Sequence, residues 1–220
     1  MIKIMPIGDP IRLIDFTDFE QLDLLMLGRI ISFVVFIIFT QWLLYKVLKS
    51  GTPMYRKEDK KLPIYHSVTA TIVSMMFFSF GLSMELIKGT VFLMILMCAS
   101  VSDIQTHRVK DYISVMIALT GLIGASLSEL PIMVFAGLGI FSFLFICAMI
   151  SGNKLGGADV KICGACAFLL GFQKSITGLV IGLFLAVICN LIINSRHKTK
   201  DKAFPLVPYL SCGFMLMYFF

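Results

Sequence analysis

Charge is what this chain has least of: Asp, Glu, Lys and Arg make up 15% of its 220 residues, against about 25% in soluble domains. That shortage excludes a disordered chain and a nucleic-acid-binding domain, both of which depend on abundant charge. Histidine is scarce as well. His66, His107 and His197 stand apart, each read as lying in a basic loop, and no His-Glu-x-x-His occurs, which argues against a zinc metalloprotease. Cysteine is missing from every polar loop: Cys98, Cys147, Cys163, Cys166, Cys189 and Cys212 all lie in apolar stretches, where they read as small buried hydrophobes. A disulfide-built secreted module is thereby excluded. Cys163 and Cys166 have CxxC spacing without a second pair or a neighbouring histidine, so neither a metal nor a cofactor is expected. Residues 1–26 carry Asp9, Asp15, Asp18, Glu20 and Asp23 in place of a basic start and an apolar run. A cleaved signal peptide is not expected there, although Ile11, Ile14, Phe16 and Phe19 would lay one apolar face on a membrane surface.

What the chain does have is hydrophobicity, 58% of its residues, with a mean hydropathy of +0.93. The apolar residues fall into blocks at 27–48, 68–87, 90–102, 112–128, 132–150, 160–172, 175–194 and 204–220. A membrane crossing takes about 20 such residues. The pattern predicts an all-α fold, a polytopic transmembrane bundle of about eight helices. Turns are expected at Lys88-Gly89, Glu129-Leu130-Pro131 and Gln173-Lys174. The blocks at 90–102 and 160–172 are short, which suits helices packed among others. The expected organisation is an extracytoplasmic segment at 1–26, two transmembrane helices within 27–89, and a six-helix core over 90–220. Glycines 137, 139, 164, 171, 178 and 182 suit close helix packing. The Met75–Phe78 run and Phe141, Phe143 and Phe145 read as lipid-facing or packing residues.

The basic residues give an orientation. With the N-terminus outside, 14 of the 19 Lys and Arg residues fall on the inner side, including Arg56–Lys61, Arg108, Lys110, Lys154, Lys161 and Arg196–Lys202. That is the bias of cytoplasmic loops. The run Arg56–Lys61 reads as an inner loop beside anionic lipid.

Two acidic residues then stand out. Asp103 closes one apolar block and Asp159 opens another. An aspartate at membrane depth costs about 2.5–3.5 kcal/mol on the insertion scale. Asp103 ends a helix running inward and Asp159 begins one running outward, so both are expected at the cytoplasmic face. One protonated and one ionised carboxyl could activate a water and protonate a leaving amine. A helix cap at Asp159 is a plainer reading, and a proton or cation relay in a small carrier or channel is the alternative function. Against a carrier, no inverted repeat is evident. By helix-end fields alone, Asp103 would hold the shared proton and Asp159 would be the initial base.

These residues resemble a known family. Leu155-Gly156-Gly157-Ala158-Asp159-Val160-Lys161 is similar to the GxGD motif of type IV prepilin peptidases, intramembrane aspartic proteases that include archaeal preflagellin peptidases. Ser102-Asp103-Ile104 with His107-Arg108-Val109-Lys110-Asp111 resembles the family's first aspartate and its trailing Ile-Pro-Asn. Lys202-Ala203-Phe204-Pro205-Leu206-Val207-Pro208-Tyr209-Leu210 is similar to its closing Ile-Pro-Phe-x-Pro-x-Leu. The three stand in family order over about 90–220. Ala158 replaces the second glycine, and Lys110-Asp111 replaces Pro-Asn, which implies a less rigid loop. The N-terminal region lacks the paired CxxC zinc motif of bifunctional members, which implies a peptidase without N-methylation, like short members serving Flp-type or competence pilins.

The resemblance implies a prepilin peptidase with Asp103 and Asp159 as its acid–base pair. The substrates would be prepilin-like precursors with a short basic leader and an apolar helix, cut at the cytoplasmic face of the cell membrane. Gly156, Gly157 and Ala158 would support the loop and admit an extended substrate segment. Lys161 would offset local negative charge or extend to the interface. Partners are the precursors and membrane lipids, with no nucleic acid and an oligomeric state left open.

Overall fold

A computed structural model describes residues 16–51, 62–151, 156–197 and 204–220. Among them every regular element is a helix: α1 (Phe16–Gly51), α2 (Leu62–Phe80), α3 (Met84–Thr106), α4 (Tyr112–Gly121), α5 (Leu130–Ile150), α6 (Gly157–Leu170), α7 (Phe172–His197) and α8 (Val207–Phe219). Among the described residues the expected all-α arrangement of eight helices is what forms. Without water, backbone N–H and C=O groups must pair within the segment, and a helix does this locally. Four stretches of the described residues are long and apolar enough to cross a membrane: Leu27–Lys46, Met84–Thr106, Leu130–Ile150 and Phe172–Ile192. Large apolar side chains also face outward, such as Phe135 and Ile150 on α5 and Phe184 on α7. Helices apolar on all sides suit a hydrocarbon surrounding.

The centre is built on α3 and α6. Phe92, Leu96 and Ala99 of α3 are buried, as are Val160, Ile162, Cys163, Cys166 and Ala167 of α6. Both α4 and α8 pack against α3 and against α6. α2 contributes Val73 and Met76 to this core, and α1 joins through Leu44 against Met94 and Val101. α6 has only 14 residues, and its enclosure by other helices is the setting expected for a short apolar block.

Several boundaries differ from the sequence reading. Lys88-Gly89 is not a turn but lies inside α3. The break comes earlier, where Gly81 takes φ 61° and the Ser83 hydroxyl caps α3 by accepting the Leu86 N–H at 3.3 Å, a side-chain cap that hydropathy does not register. α3 is therefore 23 residues long, and the boundary drawn between 89 and 90 falls within it. Gln173-Lys174 likewise lies in α7, because Gly171 makes the turn at φ 83°. α4 stops at Gly121, short of the apolar block's end at 128. Glu129 does precede α5, with proline in the first turn, where its missing N–H is no loss.

His66 is not in a loop. It lies in α2, with Nδ1 2.6 Å from Gln41 Oε1 of α1. Of the apolar face expected at the start, Ile11 and Ile14 lie outside the described residues, and Phe16 and Phe19 belong to α1. The Arg56–Lys61 run also lies outside them. The Met and Phe stripes divide as expected: Met76 is fully buried, while Met75, Phe78 and Phe143 are exposed. Of the packing glycines, Gly137 and Gly164 bring α5 against α6, and Gly178 and Gly182 bring α7 against α8. Gly139 has only ordinary clearance.

Candidate active site

Asp103 sits one turn inside α3, which continues to Thr106, and not at its end. The helix closes at His107, where φ is 49° and the N–H donates to the Asp103 carbonyl at 2.9 Å. The hydroxyls of Ser102 and Thr106 both donate to the Arg108 carbonyl, at 2.9 and 3.0 Å. The loop that was expected to be looser for want of Pro-Asn is thus tied down by two side chains. Asp103 is only 8% exposed. Its Oδ2 accepts the Val207 N–H at 3.1 Å, and the neighbouring Leu206 N–H also interacts with the carboxyl. Burying a carboxyl is costly unless it is hydrogen-bonded, and here the start of α8 supplies the donors.

Asp159 is not the cap of α6. That place belongs to Gly156, at φ −63° and ψ 128°, and Asp159 is the third helical residue. Its carboxyl folds back beside the Gly156 backbone, and an acidic side chain suits the first turn of a helix. A Cβ on Gly156 would lie 2.7 Å from Asp159 Oδ2, so the absence of a side chain leaves room for the carboxyl. At Gly157 a Cβ would meet nothing within 4 Å. Ala158 is helical, and alanine suits that backbone better than the glycine it replaces, by about 1 kcal/mol.

Asp159 is half-buried and near enough to Asp103 for their charges to interact. Helix-end fields no longer separate them. Asp103 lies in the last turn of α3 but also meets the N-terminus of α8, and Asp159 meets that of α6. The expectation that Asp103 holds the proton considered α3 alone.

Lys161 points to Asp111, with Nζ and Oδ1 2.8 Å apart and both side chains largely exposed. The pair joins α6 to the residue before α4. Two clefts meet here. One of about 530 Å³ is bounded by Phe141, Phe145, Ala148, Met149, Gly156, Gly157, Val160 and Lys161. The other, about 570 Å³, runs between α4, α5 and α6 past Asp111, Gly137, Gly164 and Phe168. Sequence reasoning missed Phe141 and Phe145 as cleft walls, though their four-residue spacing with Ala148 nearby places them on one helix face. It also missed the donors of Leu206 and Val207. Cys163 and Cys166 are buried within α6, and the described residues hold no group of three His, Cys, Asp or Glu suited to a metal. Leu155, Lys202 and Ala203 of the quoted motifs lie outside the described residues.

The stretch that carries both aspartates matches a family model described as the type IV leader peptidase family, over residues 90–192. That match covers just under half of the chain. The resemblance read from the motifs therefore holds at the level of the family. Over 167 residues the chain is 26% identical to a protein of Bacillus subtilis (strain 168) named prepilin leader peptidase/N-methyltransferase, covering 72% of this chain and 65% of that relative. The chain thus spans less than two thirds of the relative's length. No solved structure matches it. Asp103, Asp159 and the clefts lie within the leader-peptidase region, whereas α8, which holds Asp103, lies beyond its matched end.

Proposed function

We propose that the chain is an intramembrane aspartic endopeptidase of the prepilin peptidase type. It removes the short basic leader of type IV prepilin-like precursors. What carries this reading is the proximity of Asp103 and Asp159, from two separate segments of the matched region, with Asp103 held by the Val207 N–H. One carboxyl is ionised and takes a proton from a water, whose oxygen attacks the scissile carbonyl. The other is protonated and gives its proton to the departing amine, after which the pair has exchanged roles. Two interacting carboxyls titrate as a unit, so the roles belong to the pair.

The cleft beside Gly156 and Gly157 opens next to the start of α6, where an extended substrate segment would lie close to Asp159, and Lys161 pairs with Asp111 at its rim. The bias of Lys and Arg toward one side supports a multi-pass protein of the cell membrane with its N-terminus outside and the pair at the cytoplasmic face. The precursor's basic leader would then remain in the cytoplasm while its apolar helix lies in the bilayer.

The test is cleavage of a pilin-like precursor by purified protein in liposomes, beside Asp103→Asn and Asp159→Asn. Wild type is expected to release the leader, and each variant to lose at least about 100-fold, the lower end of acid–base contributions. Intact precursor with folded wild-type protein would overturn the reading.

A further inference from the structure

The closing motif around Pro205 and Pro208 has so far no role in the chemistry, and the backbone accounting at the start of α8 supplies one. A helix leaves its first N–H groups without partners inside the helix. Here Pro205 and Pro208 have no N–H. Tyr209 and Leu210 donate theirs to the Leu206 carbonyl, at 3.2 and 3.3 Å. Of residues 205–210 that leaves the N–H groups of Leu206 and Val207: that of Val207 donates to Asp103 Oδ2 at 3.1 Å, and that of Leu206 also interacts with the carboxyl. The two prolines thus bracket the two donors.

The seam between α3 and α8 keeps the donors in register with the carboxyl. Ser100, one turn before Asp103, meets the Ser211 hydroxyl at 3.0 Å in a buried contact. At the opposite end of the seam the Tyr218 hydroxyl donates to Glu85, with distances of 2.8 Å to its carbonyl and 3.0 Å to Oε2. The two helices run antiparallel, with polar contacts near both ends and one turn from Asp103. Val207 and Leu210 of α8 are themselves fully buried.

We propose that Leu206 and Val207 are positioning residues, whose backbone N–H groups form a cradle that sets the rotamer and hydrogen bonding of the Asp103 carboxyl, and that Pro205-Leu206-Val207-Pro208 is the sequence form of this cradle. The cradle rests on the reading of Asp103 as half of the acid–base pair. It extends that reading to a segment outside the matched region.

The test replaces the Val207 amide by an ester, which deletes the N–H and keeps the side chain. The full chain is made by cell-free translation into liposomes. An ester at Tyr209 is the control, because it deletes a bond of the same helix start that is not directed at Asp103. Two readouts are taken: kcat and KM for a pilin-like precursor, and the isotope-edited infrared carboxyl band that Asp103→Asn removes. Losing a bond to a carboxylate is worth about tenfold or more. The expected result is a kcat reduced about tenfold at position 207 with KM unchanged, a shifted Asp103 band, and under about twofold change at position 209. Val207→Pro, at the first helical position where proline is tolerated, repeats the deletion by another route if the ester folds poorly. Equal losses at 207 and 209, or an Asp103 band that both 207 variants leave in place, would overturn the cradle. If wild type cuts no precursor yet the band shifts, the peptidase reading fails and the cradle stands.

Discussion

Gly156→Ala separates the geometry of the carboxyl pair from the stability of the fold. Gly156 has φ −63° and ψ 128°, a conformation open to any residue, so alanine brings no backbone strain. It does bring a Cβ 2.7 Å from Asp159 Oδ2 and 3.4 Å from its Cγ. The short carboxyl side chain must rotate away, and with it goes its interaction with the Gly156 N–H. A hydrogen bond to a charged group is worth about 1.5–3 kcal/mol. At about 1.4 kcal/mol per factor of ten, cleavage should fall roughly 10- to 150-fold. Packing beyond the carboxyl is untouched, so the melting temperature in detergent should fall by no more than the roughly 3–10 °C that the lost interaction itself represents. Gly157→Ala, whose Cβ meets nothing within 4 Å, should lose less activity than Gly156→Ala. Leader release followed by gel mobility, beside a thermal melt, reads both quantities. Gly156→Ala with activity within twofold of wild type would refute the argument, as would Gly157→Ala proving the more damaging.

The seam between α7 and α8 gives a different kind of effect. In Gly213→Ala the new Cβ would collide with the Gly178 carbonyl oxygen and lie 2.7 Å from the Gly182 nitrogen. Overpacking of that kind costs about 1–3 kcal/mol, seen as a melting temperature lowered by roughly 3–10 °C; an unchanged melt would count against the tight seam. The exposed pair Lys161–Asp111 should behave as a surface ion pair, with a coupling below about 1 kcal/mol in a double-mutant cycle, and a larger value would mean that it holds α4 on α6. Ser100→Ala should destabilise more than Ser211→Ala. The first takes away Ser211's buried partner, whereas after the second Ser100 still donates to the Leu96 carbonyl at 2.8 Å; equal melts would contradict that asymmetry.

Much of this protein is determined within one span or one turn of sequence. The apolar blocks require helices, since each segment must satisfy its own backbone in hydrocarbon, and the distribution of Lys and Arg follows the same local logic. Asp103 and Asp159 are legible because a charge beside an apolar block is costly wherever it occurs. Helix ends were read less well, because Ser83 and Gly171 act through a side-chain cap and a positive φ, to which hydropathy is blind. Tertiary structure alone decided how the carboxyls are held. The Val207 N–H that reaches Asp103 lies 104 residues away, and it arrives there because α8 packs on α3 along its length and on α7 through Gly178, Gly182 and Gly213. No short motif encodes that arrangement, since the position of α8 is the sum of many weak contacts with several helices. The low charge that marks this chain as a membrane protein belongs to the sequence; the donors that let it keep a buried carboxyl belong to the fold.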